Sequence, residues 1–258
     1  MTWTRLRQVA LVTDDLEKVV DGLRAVFGLR VAYRDPSVAA FGLVNAVMPL
    51  GAHFIEVVCP TRADTAAGRQ LQRMGGDGGY MVICHTDDHA RRRRRVEQLG
   101  VRIAFEAREG DYRIMQLHPA DTGGSFLEID YQPGGEDPWG GWSPAGPDWQ
   151  EASTGTGAIT AVRVQSVDPG ATARRWADIL ETDAERDLVH IGEVTVEFVA
   201  GPVDCLVGVE VAGTALDAPV TVCGVVFTPS GPNRRRTPLL PNDPAALRDP
   251  GPGSSSVR

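Results

Sequence analysis

The chain has 258 residues, with 34 acidic and 26 basic side chains and a net charge of −8, so nucleic acid is a poor default partner. Hydrophobic residues at 42% and charged ones at 23% are an ordinary globular composition, and no apolar run approaches the ~18 residues of a membrane span. Residues 1–7 lack the apolar stretch of a secretory signal, and Cys59, Cys84, Cys205 and Cys223 form no C-x-x-C pair, so reduced thiols and a cytoplasmic location are expected.

Taken in chain order, residues 6–12 predict a short apolar strand. Asp14-Asp15 then opens a helix carrying Leu16, Val19, Val20, Leu23, Val26 and Phe27 at helical spacing, and Gly28 supplies its left-handed stop. Strands are expected at 30–34, 41–48 and 53–58, with Pro49-Leu50-Gly51 turning between the last two. The same order returns with a strand at 80–86, a helix opened by Asp87-Asp88 and ended by Gly100, and strands at 101–107, 112–118 and 125–131.

The spacing identifies a duplication. Gln8 precedes Asp14 by six positions, as Met81 precedes Asp87, and Gly28 precedes Glu56 by 28 positions, as Gly100 precedes Glu128. Two βαβββ units about 72 residues apart follow, giving an α+β fold. A weaker third copy starts at Ile159, with a helix from Asp168-Pro169 bearing Ala173, Trp176, Ile179 and Leu180, and strands at 193–200, 206–211 and 220–227. Little helix is evident after Leu206, so a fourth unit is cut down. The expected organisation is a two-unit domain over 1–132, a Gly/Pro/Trp-rich linker over 133–155 that packs onto a domain, a degenerate second domain over 156–228, and a disordered tail over 229–258.

Strand alternation sets Glu56 on one face with Phe54 and Val58, opposite Ile55 and Val57, and Glu128 opposite Leu127 and Ile129. Two carboxylates brought into one partly apolar hollow need a cation between them, or one must keep its proton at neutral pH. The run Arg91 to Arg95 falls on the second helix and reads as a solvated face whose stems cover the core edge. No G-x-S-x-G and no strand-linked G-x-G-x-x-G occurs, so neither a serine nucleophile nor a nucleotide is indicated.

The stretches Gln8-Val9-Ala10-Leu11-Val12-Thr13-Asp14-Asp15-Leu16, Asn45-Ala46-Val47-Met48-Pro49-Leu50-Gly51, Phe54-Ile55-Glu56, and His118-Pro119-Ala120-Asp121-Thr122-Gly123-Gly124 leading into Phe126-Leu127-Glu128 resemble the vicinal oxygen chelate superfamily, in its glyoxalase-like branch. The resemblance covers residues 5–132 well and 157–228 in outline. It implies a curved mixed sheet forming a cup, with a degenerate second pair of units. It also implies a divalent metal (Ni, Zn, Mn or Fe) held by Gln8, Glu56 and Glu128, with Met81 at the fourth position, where a soft thioether is a poor match for such ions. Glu128 and Glu56 are the implied catalytic residues, with Glu128 the base once substrate displaces it. Phe41, Asn45, Phe54 and Met81 are expected along the pocket and His85 at its rim. The implied function is a metal-assisted lyase or isomerase acting on a small oxygenated metabolite, in a monomer or homodimer. A metal-free protein that sequesters a drug or metabolite is the alternative. An extradiol-type dioxygenase is a poorer one, since its two-histidine, one-carboxylate set cannot be assembled here.

Overall fold

A computed structural model describes residues 2–231; the tail expectation for 232–258 lies outside them. The first unit runs β1 (Thr4–Val12), α1 (Leu16–Phe27), β2 (Leu43–Leu50) and β3 (His53–Pro60), followed by α2 (Ala66–Met74). The second runs β4 (Gly78–Thr86), α3 (His89–Gln98), β5 (Ile103–Glu109), β6 (Tyr112–Leu117), α4 (Pro119–Thr122) and β7 (Phe126–Asp130). After α5 (Trp149–Ala152) come β8 (Ala158–Ser166), α6 (Pro169–Leu180), β9 (Ala184–Glu185), β10 (Leu188–Ile191) and β11 (Val194–Ala200). The chain closes with β12 (Cys205–Ala212), β13 (Val220–Val222) and β14 (Val225–Pro229).

Local chemistry explains the repeat. Asp15, Asp88 and Asp168 each accept a backbone N–H in the first turn of α1, α3 and α6, meeting a donor the helix cannot satisfy internally. Gly28 ends α1 at φ 70° and returns its N–H to Arg24, a conformation that costs a side-chain-bearing residue energy.

The strands form two seven-stranded sheets, ordered β2-β3-β1-β4-β7-β6-β5 and β13-β14-β12-β8-β11-β10-β9. Read backwards, β10-β11-β8-β12-β14-β13 repeats β2-β3-β1-β4-β7-β6, so the α+β architecture of paired, curled units is present twice. The fourth unit has no helix between β12 and β13. Two expected strands differ. Residues 30–34 make only an isolated bridge, Tyr33 to Val47. The 220–227 run is folded into a hairpin, with Cys223 (φ 52°) and Gly224 (φ 67°) forming its turn. Helix α2 and strand β10 were not foreseen: α2 buries only Ala67 and Gln70, too few to print an apolar period.

One apolar cluster joins both sheets. Leu11, Ile55, Val57, Leu127 and Ile129 of the first share it with Val162, Phe198 and Leu206 of the second and with Trp176 of α6. Here β4 crosses β12 so closely that a β-carbon on Gly79 would overlap the Leu206 carbonyl oxygen. Gly79→Ala is therefore expected to lower the unfolding free energy by about 1–3 kcal/mol, read as a fall in the urea midpoint at unchanged m-value.

The arginine run has a more specific use than a solvated face. Arg91 and Arg92 both bind the Glu181 carboxylate beyond α6, and Arg95 reaches Asp178. Arg92 is only 3% exposed. Thus α3 docks onto the second half through ion pairs. Among the described residues no helix is long and apolar enough to cross a membrane.

Candidate functional site

The concave face of the first sheet carries the residues whose parity opposes the shared core: Ala10, Val12, Val47, Phe54, Val58, Met81 and Ile83. In the same register Glu56 stands beside Ala10, and Glu128 beside Ile83. A cavity of about 270 Å³ opens there, and Gln8, Asn45, Glu56, Glu128, Met81 and Phe41 all line it. Phe54 and His85 do not. Phe54 is covered by Trp149 edge-on and Trp142 in a stack, and His85 sits between Trp3 and Trp142 with its ring bonded to the Gln132 backbone. Both have cup-facing parity, but a tryptophan from outside the repeats fills that end of the cup.

Glu56 is 8% exposed and held by two amides. Gln8 Nε2 donates to its Oε2 at 2.8 Å, and Asn45 Nδ2 donates to its Oε1 at 2.7 Å. Neither amide is free to turn over. The Trp142 indole N–H, which can only donate, points at Gln8 Oε1 at 2.8 Å, and the Asp35 backbone N–H points at Asn45 Oδ1 at 2.8 Å. Both amides must therefore offer N–H to position 56. Burial raises the Glu56 pKa most, the Asn45 bond opposes it, the negative Glu128 adds to it and the Gln8 bond opposes it again; the outcome is about 7.

Glu128, 6% exposed, accepts from Gln116 Nε2 at 2.7 Å, its partner across the β6–β7 ladder. Two residues on, Asp130 shares its face, with an Oδ1 that is buried and without a hydrogen-bond partner among the described residues. Tyr112 donates its hydroxyl to Asp130 Oδ2. Burial and the neighbouring Glu128 charge hold the Asp130 carboxyl well above the usual carboxylate range, and burial also raises Glu128. Both shifts favour the protonated form of these buried acids.

The implied metal set does not fit this arrangement. Gln8's ligating oxygen is engaged by Trp142, both Glu56 oxygens by amides, and Met81 occupies the fourth position. Among the described residues no three His, Cys, Asp or Glu side chains converge as a ligand group. This departs from the Gln8–Glu56–Glu128 metal expectation, and the physical reason is the indole above Gln8.

Sequence reasoning also passed over Arg7. A bulge between Leu6 and Gln8 breaks the alternation and turns Arg7 onto the cup side. Its guanidinium lies 4.9 Å from the Phe54 ring centre, with Trp142 and Trp149 at 5.5 and 5.6 Å. It donates to the Ala52, Pro138 and Gly140 carbonyls, and burial lowers its pKa to about 9. It thereby ties the 133–148 segment over the end of the cup.

The second sheet shows what was lost. Matching registers put Ala161 at the place of Gln8, Glu197 at that of Glu56, Gly208 at that of Met81 and Thr228 at that of Glu128. Arg163, in Ala10's place, binds Glu197 Oε2 at 2.8 Å, so the surviving acid is neutralised by a neighbour.

Comparison with known proteins follows the same lines. The family model described as a glyoxalase-like domain matches residues 9–180. A hypothetical protein from Staphylococcus aureus is similar over 88% of this chain and 99% of its own, at 14% identity and a TM-score of 0.64. A Streptomyces coelicolor methylmalonyl-CoA epimerase in complex with 2-nitronate-propionyl-CoA aligns with 51% of this chain and 99% of its own, at 24% identity and a TM-score of 0.46. The Mycobacterium tuberculosis methylmalonyl-CoA epimerase covers 51% and 90%, at 22% and 0.45. No curated protein matches. With its repeated, curled βαβββ units and a family match across more than half its length, the chain belongs to the glyoxalase-like family of the vicinal oxygen chelate superfamily.

Proposed function

We propose that the protein is a proton-transfer enzyme, an isomerase or lyase acting on a small oxygenated molecule, with Glu56 as its general base and Glu128 as the second carboxyl. The observation that carries this reading is the double amide cradle on Glu56, which fixes one carboxyl at the cavity wall with its lone pairs aimed by Gln8 and Asn45. A base that titrates near neutrality is available in both forms at the working pH. Proton removal next to a carbonyl by Glu56 leaves an enolic ligand facing Glu128, to which Gln116 donates. Return of the proton on either carbon, or loss of a leaving group, completes an isomerisation or an elimination. No metal step enters, because Gln8 does not turn its oxygen to the cup.

The second reading, a metal-free binding protein, is favoured by Met81 and by the apolar walls around the acids. Exchange of carbon-bound hydrogen in D₂O separates the two. Hydroxyacetone, dihydroxyacetone and levulinate, followed by proton NMR in excess chelator, are expected to lose the signal of the hydrogen next to the carbonyl with the native protein. Glu56→Gln is expected to lower that rate by about 10²–10⁴-fold. Ligands that bind without exchange would establish the binding protein instead.

A further inference from the structure

Beyond the acid-lined cavity lies a second, outer one of about 840 Å³. The two are joined at a shared threshold: Phe41, Tyr80, Phe105, Gln116 and Phe126 line both. The outer space is walled by α2 on one side and by the α4 turn and Asp204 of the second half on the other. Its chemistry is the reverse of the inner one. Arg69 and Arg73, one helical turn apart on α2, line it. Among the described residues neither has a carboxylate in ion-pair range. Among the described residues Arg69 is bonded only to the Asp64 carbonyl and Arg73 only to the Gln70 side chain.

In a chain with eight more acids than bases, two arginines left without acids at the mouth of a cavity need explaining. The arginine run on α3, by contrast, finds Glu97, Glu106, Asp178 and Glu181. Tyr80 lines both cavities; burial raises its hydroxyl's pKa most, Glu128 and Glu56 add to that, and Arg69 and Arg73 oppose it. Asp204 also lines the outer wall.

We propose that the substrate is an oxygenated carbonyl compound carrying an anionic group, carboxylate or phosphate. Its carbonyl end enters the inner cavity, and its anion is held in the outer one by Arg69 and Arg73. This deepens the proton-transfer reading and rests on it for the chemistry, while the charge requirement is independent of it. A neutral molecule leaves both arginines unused and pays for no counter-ion. An anion reaching them is oriented with its far end toward Glu56, and is kept off the buried acids by the largely aromatic threshold.

Two matched pairs of probes test this with the full chain: levulinate against levulinamide, and dihydroxyacetone phosphate against dihydroxyacetone. Binding is measured by calorimetry at low salt. At least one anion is expected to bind tenfold or more tighter than its neutral partner, to weaken with added salt, and to lose that advantage in Arg69→Gln/Arg73→Gln. These positions are solvent-exposed, so the variant is expected to keep its melting temperature. The pair with the larger difference identifies carboxylate or phosphate. Neutral and charged partners binding within twofold of each other, no binding by any of the four, or an advantage that survives the double substitution would each overturn the proposal. Glu56→Gln, which should abolish hydrogen exchange, is expected to retain the anion preference. In the native protein, exchange without the anion preference therefore overturns the charge requirement alone, and the preference without exchange overturns the proton-transfer reading alone.

Discussion

Replacing Glu56 by Gln is expected to make the protein gain about 3 kcal/mol of stability, relative to the native chain, as pH rises from about 4.5 to about 7. In the unfolded chain this carboxyl titrates near its ordinary value of 4.5, and in the folded protein near 7. Between those values the native state holds a proton that the unfolded state has released. Stability from this group is therefore fully present below 4.5 and falls until about 7, at about 1.4 kcal/mol per pH unit. The native protein's own curve hides the effect. His53 and His85 are pushed down to about 4, chiefly by burial, and their contribution runs the other way, being lost as pH falls from 6.5 toward 4. The two slopes oppose each other over the same interval, and subtracting the variant's curve removes the histidines. A glutamine at position 56 is not a perfect replacement, because its NH₂ must face one of two amides whose orientation Trp142 and Asp35 fix. That costs about 1–3 kcal/mol at every pH. The slope of the difference, from urea unfolding at pH 4.5, 5.5, 6.5 and 7.5, is accordingly the quantity to read. A difference that stays flat would mean that Glu56 is ionised throughout.

Why some of this was legible in the sequence and some was not comes down to which interactions repeat. The glutamates were found because helix stop and last strand keep the same spacing in both units, and strand alternation then gives their face; Gln8 came with them by register. Asp130 lay within the same logic, two residues beyond Glu128 on the same strand. Gln116 needed only the β6–β7 pairing counted back from the Gly123-Gly124 turn. Arg7 was out of reach, since alternation assigns it to the helix side and only a bulge reverses that. Phe54 and His85 were assigned to the pocket by correct parity; they are displaced from it by aromatic rings that carry no periodic signal. The 133–148 segment gave a composition and no register. Its tryptophans were read as packing residues, but nothing in their spacing says that one of them addresses Gln8.

That one contact carries the second large effect. Trp142→Ala empties a site that is 1% exposed and touches Phe54, His85, Tyr112 and Arg7; a loss of about 3–5 kcal/mol is expected. Trp142→Phe keeps a smaller ring among those neighbours, gives up part of the indole's volume and deletes the N–H to Gln8. Gln8 Oε1 is then a buried acceptor without a donor, a state worth about 1–3 kcal/mol, and rotating the amide toward the cup relieves it. The rotated oxygen joins Glu56 and Glu128 as the three-oxygen set that the superfamily resemblance implies for a divalent ion. The native protein's melting temperature is accordingly expected to be indifferent to Mn²⁺, Zn²⁺ and Ni²⁺, whereas Trp142→Phe should melt lower than native in chelator and recover several degrees with one of these ions. Recovery must vanish in Trp142→Phe/Glu56→Gln, which removes a charged ligand. If the native protein binds the same ions as tightly as Trp142→Phe does, the indole is not what keeps Gln8's oxygen from the cup, and the metal-free assignment of the site fails with it.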